Sequence, residues 1–278
     1  MPEIYEALMN ALSDFREQRD DPYSAPLGSG EETLPNVLVP TPTGPMPSWL
    51  AVPSQPGPFP GVVVLHDILG MSLDHRRQAD WLAEAGFLGL AVNLYHHGGR
   101  LLCIRRVIRD LMARTGPAFE DVEAARQWLL ARPECSGKVG VIGFCMGGGF
   151  ALLLVSGHGF SAASVNYGGP LPAEFDEFLG TACPVVGSYG GLAKWEQGVA
   201  DELQRKLERA LVPHDVKEYP EAGHSFMNRH GTFLLQLLRI KSIGYNDEAA
   251  MDARRRIIAF FRTHLASAEP GLRRSHLQ

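Results

Sequence analysis

Gly143-Phe144-Cys145-Met146-Gly147-Gly148 places a cysteine at the centre of a G-x-C-x-G segment. That is the spacing of a sharp strand-to-helix turn that lifts a nucleophile clear of its own backbone. Upstream, Lys138-Val139-Gly140-Val141-Ile142 reads as a short buried strand, and the apolar run Phe150 to Val155 reads as the body of a helix. A side chain at the apex of such a turn takes strained backbone angles, so its neighbours must be small, as Gly143 and Gly147 are. The helix that follows aims its N-terminal N–H groups at the sulfur and favours thiolate over thiol. The plain alternative is a buried packing cysteine. Agreement of strand, turn, glycines and helix favours the nucleophile.

A thiolate nucleophile needs a base that also protonates the leaving group, and imidazole suits both tasks near neutral pH. Of ten histidines, His224 in Pro220-Glu221-Ala222-Gly223-His224-Ser225-Phe226 is best placed, because it directly follows the last apolar strand of the chain. His66 and Asp67 end the first parallel strand, ahead of Ile68-Leu69-Gly70. A loop in that position lies beside the elbow, so the expected oxyanion donors are the backbone amides of Ile68 and Met146. Asp67 is close enough in such an arrangement to meet Cys145 or His224, or else it caps its own loop. His96 and His97 adjoin Gly98-Gly99 after the second parallel strand. With no third ligand at a sensible spacing they are read as pocket rim or exposed residues, and no metal site is expected.

These groups must be held by a scaffold. Asn36–Val39 and Ser48–Val52 flank the turn Thr41-Pro42-Thr43-Gly44-Pro45 and suggest a hairpin. Beyond Pro60, βα alternation begins, with strands at Gly61–His66, Phe87–Val92, Ala162–Asn166, Pro184–Tyr189 and Asp215–Tyr219 around the nucleophile strand. Helices are expected at Leu73–Ala85, Arg100–Ala113, Phe119–Ala131, Pro172–Leu179, Glu196–Leu211 and Glu248–Leu265. Apolar strands alternating with amphipathic helices imply an α/β fold, a mostly parallel sheet covered on both faces. Ile4, Leu8, Leu12 and Phe15 share a helical face within residues 3–18, followed by a Gly/Ser/Pro/Glu-rich loop. Residues 1–35 are therefore read as an appendage, 36–268 as one catalytic domain and 269–278 as a tail.

A net charge of −5 gives no electrostatic case for nucleic acid or an anionic membrane. No stretch approaches the ~20 apolar residues of a membrane span. The opening Met1-Pro2-Glu3 does not resemble a secretory signal. Cys103, Cys135, Cys145 and Cys183 are scattered without C-x-x-C pairing or metal-ligand spacing. A reducing cytoplasm fits this pattern, and a monomer or homodimer is expected.

V-V-V-L-H-D-I-L-G at 62–70, V-G-V-I-G-F-C-M-G-G at 139–148, G-S-Y-G-G at 187–191 and E-A-G-H-S-F at 221–226 together resemble the dienelactone hydrolase family, the carboxymethylenebutenolidases. The resemblance runs from about Asn36 to Leu265 and implies an α/β-hydrolase domain. It also implies cleavage of a small ester or lactone through a cysteine acyl-enzyme, with no metal or organic cofactor. Carried over, Cys145 matches the nucleophile, His224 the base, and Ile68 and Met146 the oxyanion donors. Asp67 stands where the family usually has a glutamate that gates the resting cysteine.

The chain departs from the family at Ala193, which occupies the position of the triad aspartate, with Glu196 as the nearby carboxylate. Glu196 or another carboxylate substitutes, the pair works as a Cys–His dyad, or activity is lost. The last case makes the chain a non-catalytic relative that binds a ligand or partner. A thiol redox role with Cys183 is a weaker third reading. The substrate-carboxylate arginine of the family falls on Asn228 with Arg229 beside it, and Arg105, Arg106 or Arg109 offers a second cation. The apolar segment Phe226–Ile243 reads as a flap or a packing helix.

Overall fold

The computed structural model describes residues 35–97, 100–229 and 242–266. The expected N-terminal helix, the C-terminal tail and most of the Phe226–Ile243 segment lie outside the described residues. Eight strands form one sheet in the order β1-β2-β4-β3-β5-β6-β7-β8. They are β1 (Val37–Thr41), β2 (Gly44–Ala51), β3 (Phe59–Leu65), β4 (Leu88–Val92), β5 (Cys135–Phe144), β6 (Ala163–Asn166), β7 (Val185–Gly190) and β8 (His214–Tyr219). The β1–β2 hairpin and the β2–β4 pair are antiparallel, and every other pair is parallel. The hairpin is tighter than expected, since Thr41 pairs with Gly44 and leaves only Pro42-Thr43 at the turn.

Period-two burial explains why the strands read as unbroken apolar runs. In β3, Val63 and Leu65 enter one core and Val62 and Val64 the other, all fully buried. Each contributes about 1.5–3 kcal/mol of burial, so a charge at any of them would break the sheet. The first face is covered by α2 (Arg100–Ala113), α3 (Pro117–Leu130), α4 (Met146–Leu153) and α6 (Val199–Arg209), through Ile104, Val122, Phe150 and Leu203. The second is covered by α1 (Leu73–Glu84) and α7 (Asp247–His264), through Leu82, Ile257 and Phe261. Ser72 caps α1 by accepting from the His75 amide, and Asn246 caps α7 through the Ala249 amide.

Two expected helices are corrected. Between Pro172 and Leu179 only α5 (Phe175–Phe178) is α-helical, followed by a 3₁₀ turn at Leu179–Thr181. The expected Glu196–Leu211 helix starts only at Val199, because Gly198 sits at φ 78° and breaks the path. Glu196 instead closes a separate 3₁₀ turn, Lys194–Glu196.

The strand order places the candidate site. The chain steps from β3 outward to β4, then crosses back to lay β5 on the other side of β3. The carboxyl ends of β3 and β5, where Leu65 pairs with Gly143, therefore flank the switch point at which such sheets bind ligands.

Candidate active site

Cys145 follows β5 with φ 54° and ψ −114°, a left-handed strained conformation for a residue with a side chain. Close packing makes this turn dependent on glycine. A Cβ on Gly143 would lie 1.9 Å from the Gly147 carbonyl oxygen, and one on Gly147 would lie 2.4 Å from the Leu65 carbonyl oxygen. The elbow is thus wedged against the end of β3. The Cys145 amide donates to the Asn166 carbonyl (3.1 Å), and its carbonyl accepts from Gly149 as the first bond of α4 (3.0 Å). Cys145 is the N-terminal cap of that helix, so the sulfur sits at the positive end of the helix dipole.

His224 is held by its backbone and sandwiched by rings. Its amide donates to Ser242 (2.7 Å) and its carbonyl accepts from Gly244 (2.9 Å). Tyr167 meets the imidazole edge-on at 5.2 Å, and Trp195 flanks it at 5.6 Å, tilted by 56°. The ring hydrogen-bonds Glu196 and feels the charge of Cys145. Nδ1 is 3.2 Å from Glu196 Oε1, and Glu196 has no exposed surface. Burial works against the imidazolium. The negative charges of Cys145 and Glu196, which the ring N–H groups face as acceptors, outweigh that cost and hold His224 well above its ordinary 6.5.

Glu196 reaches this position because of the turn corrected above. Ala193 donates to Gly190 and accepts from Glu196 (3.2 and 2.8 Å), which folds the chain back immediately after β7. A longer side chain from three residues further on therefore arrives at Nδ1, while the Ala193 methyl is buried.

The β3 loop lies alongside. Asp67 Oδ1 accepts from the Leu69 amide (2.7 Å), and its carbonyl accepts from Gly70 (3.2 Å), so the carboxylate caps its own loop. The His66 ring donates from Nδ1 to the Asp67 carbonyl (2.6 Å) and accepts at Nε2 from the Leu94 amide (3.1 Å), a structural pin between the ends of β3 and β4. The Tyr95 hydroxyl lies 3.1 Å from the Ile68 carbonyl and 3.5 Å from Met146 Sδ. It links the two residues expected to donate to an oxyanion.

Arg229 is engaged elsewhere. Its guanidinium stacks on Tyr245 at 4.4 Å and contacts Asp247 at 3.4 Å on an exposed surface. Arg105 sits on the exposed side of α2. Asn228, at the position of the family arginine, is buried: its amide donates to Asp74 (2.7 Å), and its carbonyl accepts from the Tyr167 hydroxyl. Burial, helped by the charges of Asp74, Asp67 and Cys145, pushes the Tyr167 phenol well above 10, so it stays a donor. Tyr167 and Trp195 carry no sequence signal of a site role; both are recognisable only once the fold brings them to His224.

His96 and His97 acquire a third neighbour. Asp121 of α3 brings a carboxylate to them, and one potential ligand atom from each of the three lies within 4.8 Å of the others. The expectation that the histidine pair has no third ligand is corrected, because the partner comes from a helix that spacing along the chain does not connect to it.

A mostly parallel sheet with helices on both faces, a strained elbow after β5 and a histidine after β8 define the α/β-hydrolase fold. The chain belongs to the dienelactone hydrolase family, whose model matches residues 46–265. It is 27% identical to a carboxymethylenebutenolidase of Pseudomonas putida, over 73% of this chain and 85% of that one. It is 28% identical to a carboxymethylenebutenolidase of Rhodococcus opacus, over 66% and 77% of the two chains. The fold also matches the crystal structure of a dienelactone hydrolase from Anabaena variabilis, with a TM-score of 0.58 at 19% identity, covering 83% and 97% of the two chains. No described helix is long and apolar enough to cross a membrane.

Proposed function

We propose that this chain hydrolyses a small carboxylic ester or lactone through a Cys145 acyl-enzyme, with His224 as general base and acid and Glu196 as the acid of the triad. The observation that carries this reading is the 3.2 Å contact between the buried Glu196 carboxylate and His224 Nδ1, on a ring that also feels the charge of Cys145. His224 accepts the thiol proton and the thiolate attacks the carbonyl carbon. The oxygen that becomes negative is received by the amides of Ile68 and Met146. His224 then protonates the departing alkoxide, which in a lactone stays tethered to the acyl group. Water, deprotonated by the same imidazole, releases the acid and regenerates the thiol. Glu196 stabilises the imidazolium at each stage, the role that an aspartate plays in serine triads.

A dienelactone carries a free carboxylate, and the residue at the family's arginine position is Asn228, whose amide is committed to Asp74 and Tyr167. The substrate class that fits is therefore a small ester or lactone without that anion. Purified protein tested on short-chain nitrophenyl esters and on a dienelactone should turn over the esters faster. Cys145→Ala should abolish both activities, and full activity in that variant would end this mechanism.

A further inference from the structure

Away from the sulfur, the turn between β1 and β2, the loop after β4 and helix α3 meet at a cluster of groups that is short of protons. The Thr43 hydroxyl lies 2.7 and 2.8 Å from the two Asp121 oxygens, 3.1 Å from His96 Nε2 and 3.1 Å from Thr41 Oγ1. Thr41 gives its own proton to the Gly44 carbonyl at 2.7 Å. One hydroxyl hydrogen is thus asked to serve a carboxylate, an imidazole and a second hydroxyl. The His96 ring is oriented by Nδ1, 2.9 Å from the Asn93 carbonyl, which can only accept. In the neutral ring the proton is therefore on Nδ1, and Nε2 turns a bare lone pair on Asp121 Oδ2 at 3.7 Å. The His96 and Asp121 side chains are each only 1% exposed. His97 Nε2 is buried and has no hydrogen-bond partner among the described residues. Its ring packs on His96 at 3.9 Å and is admitted by Gly44, where a Cβ would come within 3.3 Å of His97 Cε1.

We propose that His96, His97 and Asp121 bind a divalent zinc-like ion, a structural clamp separate from the hydrolytic site. Two imidazoles and a carboxylate suit zinc and its first-row neighbours rather than calcium or magnesium. An imidazole whose Nδ1–H is held by a backbone carbonyl while Nε2 faces inward is the usual second-shell support of a metal-bound histidine. Bonds of about 2.0–2.2 Å put tetrahedral ligand atoms about 3.4 Å apart. The 3.7 Å between His96 and Asp121 is close to that distance. The full set, within 4.8 Å, closes on an ion with a contraction of about 1.4 Å at most. The charge of Arg106, felt at His96, opposes a cation and sets a limit on affinity. The consequence lies in the same loop: Tyr95, next to His96, is the side chain that lies against Ile68 and Met146. The clamp stiffens the loop behind the proposed oxyanion groups and takes no part in bond making.

The test uses the full chain, tag removed and stripped with chelator, then dialysed against zinc and analysed for metal content. One zinc per chain is expected in the wild type and equally in Cys145→Ala, with an upward shift of the melting midpoint. His97→Gln leaves the Thr43–Asp121–His96 bonds in place and removes a direct ligand, so it should weaken zinc binding by more than the roughly 100-fold that loss of an outer-shell partner costs, with an unchanged circular dichroism spectrum. Cobalt loaded into the wild type should give a d–d spectrum without thiolate charge transfer, which decides the matter even if the His97 variant misfolds. Zinc content well below one per chain would overturn the site. So would undiminished binding in a folded His97→Gln, or metal lost from Cys145→Ala or carrying a thiolate band. Loss of ester hydrolysis with zinc retained would count against the proposed reaction only.

Discussion

Replacing Glu196 by glutamine keeps the volume of a fully buried side chain and removes its charge. The amide oxygen can still accept from His224 Nδ1, so tautomer and ring position survive, and what disappears is stabilisation of the imidazolium. A hydrogen bond to a charged partner contributes about 1.5–3 kcal/mol and a neutral one about 0.5–1.5. The difference of about 1–2 kcal/mol corresponds to a loss of about 5- to 30-fold in kcat/KM. Glu196→Ala also frees the ring, and should cost about 10²–10³-fold, below the ~10⁴ of a serine triad because a thiol gives up its proton more easily. The charge of Glu196 is one of two that hold His224 above its ordinary pKa. Its removal must lower the imidazolium pKa, and the acidic limb of the pH–rate profile, set by His224 as the neutral base, should move to lower pH. Steady-state kinetics on a nitrophenyl ester across the pH range, with melting curves as a folding control, measures both effects. An unchanged rate with an unmoved acidic limb in a folded Glu196→Gln would refute the role given to Glu196.

Restoring the family aspartate gives an inverse test. Ala193 is buried in the same turn as Glu196, so Ala193→Asp would crowd a second carboxylate there and one of the two would stay protonated. No gain in rate is expected from that variant alone, whereas Ala193→Asp in the Glu196→Gln background should recover part of the loss; a large gain from the single change would contradict the assignment. His75 supplies a stability prediction. Burial, with the His66 charge adding to it, holds this imidazole down to about 3. Its contribution to stability is complete above pH 6.5, its unfolded value, and is lost as pH falls from there toward 3. At pH 5 the loss is about 2 kcal/mol, and urea unfolding at pH 7 and pH 5 should show it in the wild type and a smaller drop in His75→Gln.

Parts of this molecule follow from local pattern alone. Arg100–Ala113 begins and ends where its amphipathic period does, and β3 and β5 announce themselves by apolar runs that the two cores explain. The elbow and His224 are legible because a strained turn and a tight loop require glycines at fixed offsets. Helix α4 starts four residues before its apolar body, because Gly147, Gly148 and Gly149 conceal it from a propensity reading. Gly147 and Gly148 are there for close approach to the ends of β3 and β6.

Glu196 was visible as a carboxylate, but not its direction, which depends on a 3₁₀ turn and a left-handed Gly198 that read as helix. The likeness to the family points to Asn228 and its neighbour Arg229. The structure shows Arg229 spent on Tyr245 and Asp247, and Asn228 built into a buried amide network with Asp74 and Tyr167. Asp121 shows the other limit. It reads as one more residue of an amphipathic helix, and only the sheet brings it to Thr43, 78 positions away along the chain.

The central claim is a covalent bond between the acyl group and one sulfur. Rapid-quench mass spectrometry of the protein during turnover of a short-chain ester, followed by peptide mapping, tests it most directly. A single acyl group is expected, mapped to Cys145 and absent from protein first alkylated with iodoacetamide, which should also be inactive. An acyl group on any other residue, or undiminished turnover by the alkylated protein, would contradict it.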